Sequence, residues 1–230
     1  ALFNLNPYQT LFETWHRKKA GSVISIEENE RMKWGTYLQP SIANGIATDE
    51  GWQIREKAEF IYNDDGFGSS FDYEITSPIN GLLEIKNVDS RVHYKEWKPE
   101  EAPPHIELQV QYQLMIAGLS TAYIGALVGG NEKVLLKRTA SKHIQEMIVN
   151  KVIWFWDTIK KGQEPVPNFK KDAAFIASLY NYADPNSIAA VDENHEVTKF
   201  CNEYKDLQKQ EKEISEKKEI NFLADTAFPS

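Results

Sequence analysis

An α/β fold is what this sequence predicts, on three features. Apolar residues first recur every four positions, at Trp34, Leu38, Ile42 and Ile46, as along one side of a helix. After Gly51 the period shortens toward the alternation of strands, and Asn63-Asp64-Asp65-Gly66 and Ser77-Pro78-Ile79-Asn80-Gly81 read as turns. A helix, three strands, a helix and a further strand follow one another without an internal repeat. That order suits a sheet layered with helices, not a bundle.

The elements follow in chain order. Asn6-Pro7-Tyr8 is a turn ahead of a short helix over residues 9–19, with Leu11, Phe12 and Trp15 inward. Ser25-Ile26-Glu27-Glu28 has the spacing of a capping box. The helix it opens is expected to run to about Asp49, bent at Pro40. A strand is expected from Trp52 toward Tyr62, with pauses, then paired strands over residues 69–75 and 81–88. Residues 98–104 form a proline-rich loop before a helix over 107–118. An apolar strand over 121–129, a turn at Gly130-Asn131-Glu132 and a strand over 133–137 come next. The helix over 141–161 presents Ile144, Met147, Ile148, Val152, Phe155 and Ile159 as a wide apolar face. From about Asp192 the chain becomes a charge-dense amphipathic helix with Val197, Phe200, Tyr204, Leu207 and Ile214 on its apolar side. Residues 1–190 are thus expected to form one domain, and 191–230 a charged helical extension packed on it or projecting from it.

At 230 residues the chain is long enough to bury a sizeable core. Cys201 is the only cysteine, which excludes an internal disulfide and any metal site built from several thiolates, and suits a reducing cytoplasm. No apolar run approaches the roughly 18 residues of a membrane span, and no signal-peptide pattern opens the chain. A soluble cytoplasmic protein without a membrane partner is expected. The net charge of −8 speaks against a surface coated with phosphate-binding patches. Because part of the excess lies in the acidic tail, it does not exclude a local basic channel.

The chemistry-bearing stretch is Phe71-Asp72-Tyr73 followed by Glu84-Ile85-Lys86. On a strand, Glu84 and Lys86 point the same way, and Asp72, on the other arm of the hairpin, sits beside them. Two converging carboxylates, with the backbone carbonyl of Ile85, suit Mg²⁺, a hard cation that keeps several waters. Lys86 would orient the attacking water and offset charge on a phosphorane. The plainer reading is a surface salt bridge. Against it, the apolar neighbours Leu82, Leu83, Ile85 and Val88 imply a strand covered on one face, where unpaired charge is costly. The next helix carries Gln109, Gln111 and Gln113, with Gln109 and Gln113 one turn apart. These amides serve to orient water or hold DNA, or are only a polar helix face.

Five segments, in order over residues 1–170, carry a family resemblance: Leu5-Asn6-Pro7-Tyr8-Gln9-Thr10, Met32-Lys33-Trp34-Gly35-Thr36-Tyr37-Leu38-Gln39-Pro40-Ser41-Ile42, Gly68-Ser69-Ser70-Phe71-Asp72, Gly81-Leu82-Leu83-Glu84-Ile85-Lys86 and Glu107-Leu108-Gln109-Val110-Gln111-Tyr112-Gln113-Leu114. Together they resemble the YqaJ-type viral recombinases, lambda-type exonucleases of the PD-(D/E)XK superfamily. The resemblance implies a restriction-endonuclease-like core, a central mixed β-sheet flanked by helices. It implies Mg²⁺-dependent, and Mn²⁺-tolerant, 5′-to-3′ digestion of one strand of linear duplex DNA, leaving 3′ overhangs for phage-type recombination. It also implies a ring-shaped homotrimer, a single-strand annealing partner and a phage or prophage origin in a bacterial host. On this reading Asp72, Glu84 and the Ile85 carbonyl hold metal, Lys86 and Gln109 join them in catalysis, and Gln39, Ser70, Gln111 and Gln113 support the site or the DNA.

Two departures from the family pattern are visible. The family usually has a glutamate where this chain has Gln39, and Glu50 lies about 16 Å further along the helix, too far to replace it. The residues expected to bind a 5′ phosphate lie upstream of the first matching segment, outside this sequence. The other readings weighed here are a PD-(D/E)XK endonuclease and a weakly catalytic DNA-binding module. The remaining candidates receive plain readings: His16, Arg17, Lys18 and Lys19 as a solvated helix end, His93 and His105 as loop histidines, Trp154, Phe155 and Trp156 as core or subunit contact, and Asp64 and Asp65 as turn residues. Lys95 and Lys98 are even candidates for phosphate contact.

Overall fold

A computed structural model describes residues 1–21, 28–57, 59–62, 67–179 and 195–227. The chain divides into two compact units, Ala1–Ala177 and Ser178–Ser230. The first begins with Leu11–Lys19 (α1), capped by the Thr10 hydroxyl, with Phe12 and Trp15 buried. Glu30–Glu50 (α2) follows, capped by the Asn29 side chain on the Met32 amide. The expected capping box at Ser25 lies mostly outside the described residues.

A five-stranded sheet forms the centre. Gln53–Glu56 (β1), Tyr73–Ser77 (β4), Gly81–Val88 (β5), Thr121–Val128 (β6) and Glu132–Thr139 (β7) lie in the order β1-β4-β5-β6-β7. Only β5 and β6 pair in parallel, so the sheet is mixed. Ile61–Tyr62 (β2) and Gly68–Ser69 (β3) form a separate two-stranded ribbon. The strand expected over 69–75 is therefore two: β3 belongs to the ribbon, and the chain bends through residues 70–72 before β4 begins at Tyr73. Asp72 accordingly sits in a bend, not on a strand.

The parallel pairing of β5 and β6 needs a crossover, which Ser90–Glu96 (α3) and Pro104–Ala117 (α4) supply. Sequence periodicity does not signal α3, a seven-residue polar helix capped by Asp89. Helix α4 starts three residues before its expected position because Pro104 fits the first turn, where no amide partner is lost. Lys142–Lys161 (α5), capped by Ser141, and Phe169–Leu179 (α6), whose first nine residues close the unit, follow. Helix α6 is a further element that the sequence reading missed.

Alternation along β5 divides the core in two. Leu82 and Val88 join Ala122, Ile124 and Ala126 of β6 and Ile106, Val110 and Leu114 of α4. Leu83 and Ile85 join Tyr73 and Ile75 of β4 and Ile42, Ala43 and Ile46 of α2. Trp34 was expected on this buried stripe, yet it is 54% exposed. Residues four apart turn by about 40° beyond a full circle at each step, so the row from Ile46 back to Trp34 leaves the sheet. In the second unit, Glu196–Ala227 (α7) carries Val197, Phe200, Tyr204, Leu207 and Ile214 at exposed positions.

Helix α2 lies close to the sheet at Gly125, where a Cβ would run into Ile46 and crowd Leu83. Gly125→Val is expected to lower stability by about 1–3 kcal/mol, the usual cost of overpacking. An unchanged thermal midpoint for this variant would show that the α2 contact is looser than described.

Candidate active site

The site begins where one ladder stops. Strands β4 and β5 pair from Ile75↔Gly81 to Tyr73↔Leu83, and no β4 residue lies opposite β5 beyond that point. The Asp72 side chain takes the next rung: its Oδ2 accepts the Ile85 amide at 2.7 Å. An amide and the carbonyl of the same residue point to the same strand edge in an antiparallel ladder. The Ile85 carbonyl therefore faces the edge held by Asp72. The Asp72 backbone is fixed as well, since its own carbonyl accepts the Lys57 amide at 3.1 Å.

Glu84 points to the opposite side of β5 from Ile85, toward α4, and is 4% exposed. Its Oε1 accepts Lys86 Nζ at 2.5 Å and Gln109 Nε2 at 2.7 Å, and its Oε2 accepts Gln113 Nε2 at 2.7 Å. Lys86 Nζ also donates to Gln109 Oε1 at 3.4 Å. A buried carboxylate is costly unless its oxygens are satisfied, and here the donors come from its own strand and one face of α4. Glutamines at positions 109 and 113 are one helical turn apart, so both reach the same carboxylate.

From the other sheet face, the Gln39 side chain of α2 hydrogen-bonds Asp72. Burial pushes the Asp72 carboxyl up to about 6, from an ordinary value near 3.8, and the Glu84 charge pushes the same way. The Ile85 amide, the Lys86 ammonium and Gln39 oppose that rise. Two neighbouring carboxylates, with a carbonyl on the same edge, form a hard-oxygen set that fits a divalent cation such as Mg²⁺. Among the described residues no cluster of three or more His, Cys, Asp or Glu adds to it.

The expected residues divide clearly. Asp72, Glu84, Ile85, Lys86, Gln39, Gln109 and Gln113 come together, and Ser70 joins through its carbonyl, which accepts Gln113 Nε2 at 3.3 Å. Gln111 is not among them. Its amide donates to the Thr139 carbonyl at 2.9 Å and accepts the Ser141 amide at 2.8 Å, joining β7 to the start of α5. Tyr112, not singled out in the sequence, donates its hydroxyl to the Gly68 carbonyl at 3.2 Å and so holds the ribbon. Its place beside the glutamines in one matching segment was the available signal.

Most of the other candidates have structural partners. Arg17 pairs with Glu13, Lys19 lies over Trp15, and His16 approaches Glu164 at 3.5 Å. His93 packs on Trp97, Lys98 pairs with Glu101 at 2.8 Å, and Lys95 is exposed. Phe155 is buried with Trp156 at its edge, and Trp154 lies under Lys151. His105 stands one turn before Gln109; burial lowers its pKa, Glu96 opposes that shift and the Lys86 charge adds to it. Asp64 and Asp65 lie outside the described residues.

A family model described as the YqaJ-like viral recombinase domain matches residues 1–120. The uncharacterized protein YqaJ of Bacillus subtilis (strain 168) is 28% identical over 199 residues, or 83% of this chain and 60% of that protein. The chain thus spans 60% of the length of this curated relative. Among crystal structures, the alkaline exonuclease LHK-Exo from Laribacter hongkongensis matches with a TM-score of 0.57 at 20% identity, over 76% of this chain and 92% of its own. A phage-related exonuclease from Haemophilus somnus 129PT matches with a TM-score of 0.51 at 12% identity, over 66% and 79% of the two chains. These structures share the fold, a mixed sheet flanked by helices, as the sequence led one to expect.

The raised Asp72 pKa gives a stability test. In the metal-free fold its ionisation is disfavoured, so this burden is absent below about pH 4, grows as pH rises and is complete above about pH 6. Asp72→Asn keeps an acceptor for the Ile85 amide but cannot ionise. In chelator at pH 8 it is expected to be more stable than the parent by about 1–3 kcal/mol, with the gap closing toward pH 4. Added Mg²⁺ should raise the melting temperature of the parent alone. A variant less stable than the parent at pH 8 would contradict the described electrostatics.

Proposed function

We propose, for a chain that belongs to the YqaJ-like viral recombinase domain family, that it is a Mg²⁺-dependent exonuclease. It degrades one strand of linear duplex DNA in the 5′-to-3′ direction and leaves 3′ overhangs for recombination. The observation that carries this reading is the convergence of Asp72, Glu84 and Lys86 at the end of the β4–β5 ladder, with Ile85 between them. The fold shared with two exonucleases supports it. Mn²⁺ is expected to substitute, since it accepts the same oxygen donors. A ring-shaped homotrimer, a single-strand annealing protein and the cytoplasm of a bacterial host complete the proposal, and all three rest on the family resemblance.

In this reading Asp72, Glu84 and the Ile85 carbonyl hold the cation. When bound, it supplies Lewis-acid stabilisation to the phosphodiester and favours deprotonation of water. The chain's own residues do the rest. Lys86 places a positive charge next to Glu84, where negative charge builds as water attacks phosphorus and the leaving oxygen departs. Gln109 fixes Lys86 through its Oε1 and Glu84 through its Nε2, so ammonium and carboxylate keep one relative orientation. Gln113 ties Glu84 to the Ser70 carbonyl, two residues before Asp72, and thereby sets the spacing of the two acids. Gln39 steadies Asp72 without adding charge. This neutral contact favours one cation over two.

A 5′-phosphorylated linear duplex with Mg²⁺ provides the direct test. The parent is expected to release nucleotides from 5′ ends, and Lys86→Ala to lose about 10²-fold or more in rate, as for loss of one group that stabilises transition-state charge. Equal digestion by the variant would remove Lys86 from the mechanism, and cutting of a covalently closed circle would replace the exonuclease reading with an endonuclease one. Gln39→Glu is expected to preserve or raise activity while steepening its dependence on Mg²⁺ concentration. A large loss would instead assign the amide a role of its own.

A further inference from the structure

The ribbon that leads into the site carries two exposed rings. Phe60 is 55% exposed and Tyr62 is 70% exposed, with ring centroids 4.8 Å apart. Ile61, between them, packs against the core on the other side. Burial of the ribbon is thus provided by Ile61, and the two rings on the opposite face contribute little to it. Tyr62 pairs with Gly68, where an added Cβ would run into both rings. The glycine lets the rings lie across the second strand and leaves their outer faces open.

This platform is fixed to the catalytic groups. Ile61 pairs with Ser69, which precedes Asp72 by three residues, or at most about 11 Å of extended chain. Tyr112 of α4 holds the Gly68 carbonyl, and Gln113 holds both the Ser70 carbonyl and Glu84. A single helix therefore anchors both the ribbon and the carboxylate. Flat aromatic faces bind unpaired bases without regard to sequence, because every base has a π-face.

Resting on the exonuclease reading above, we propose that Phe60 and Tyr62 form a stacking platform for unpaired bases of the DNA strand next to the scissile phosphate. The rings position the strand; they are not catalytic residues. They would favour single-stranded or frayed ends and slow the release of a strand between successive cuts.

The test uses the full chain and a single-stranded oligonucleotide carrying 2-aminopurine, in chelator so that no cutting occurs. The parent is expected to quench the 2-aminopurine fluorescence on binding. Phe60→Ala/Tyr62→Ala should lose the quench and bind about tenfold more weakly or worse, since one base–ring stack is worth about that factor. Phe60→Leu/Tyr62→Leu, which keeps apolar bulk, should behave like the alanine pair, whereas Phe60→Trp/Tyr62→Trp should retain the quench. The rise in melting temperature on adding Mg²⁺, which reports the acid cluster and not base contact, should be unchanged in every variant. Unchanged binding and quenching in the leucine pair would overturn the proposal while a parent that digests duplex DNA leaves the exonuclease reading intact. A fall in oligomeric mass without loss of DNA affinity would reassign the rings to a contact between copies of the chain. A parent that does not digest DNA with Mg²⁺ would sink the exonuclease reading and the platform with it.

Discussion

The hydrogen bond from the Ile85 amide to Asp72 is the constraint on which the site depends. A sheet normally satisfies backbone groups with other backbone groups. Here β4 begins only at Tyr73, opposite Leu83, and a carboxylate takes the place of the missing strand. The Ile85 carbonyl faces that same edge, and alternation along β5 sends Glu84 to one side of it. Acid, carbonyl and acid thus gather because a ladder ends, and no long loop is needed to bring them together.

Around that edge the protein relies on neutral amides. Glu84 is buried, yet the donors on it from α4 are glutamines, and among the described residues Lys86 is the one cation in direct contact. Arginines in the same places would satisfy the carboxylate as well, but their fixed positive charge would compete with a metal ion. Glutamine meets the requirement for hydrogen bonds and leaves the negative field in place. The elevated Asp72 pKa is the corresponding cost: burial raises it most, and the nearby Glu84 charge adds to the rise.

Much of this was legible in the sequence. The β5 run Gly81-Leu82-Leu83-Glu84-Ile85-Lys86 was readable because charges among apolar residues on a strand demand partners, and the i, i+4 glutamines were readable because helix geometry places them together. The bend at residues 70–72 was not, since Ser69 to Ile75 has the composition of a continuous strand and only pairing with Ile61 divides it. Trp34 misled because a four-residue spacing resembles a helical stripe over one turn and drifts from it over three. Gln111 belongs to the same sequence pattern as its neighbours, but a 100° step on the helix per residue turns it toward β7. Short α3 and the ribbon contacts of Tyr112 arise from tertiary packing, for which local periodicity holds no record.

Gln39 reaches Asp72 from a helix on one sheet face, while the glutamines on Glu84 come from a helix on the other. Its side chain lies at the margin of the core and not within it. An acid in place of this amide would therefore change the charge beside Asp72 without rebuilding either hydrophobic cluster. The architecture thus separates the charge carried at the candidate site from the packing that maintains the fold.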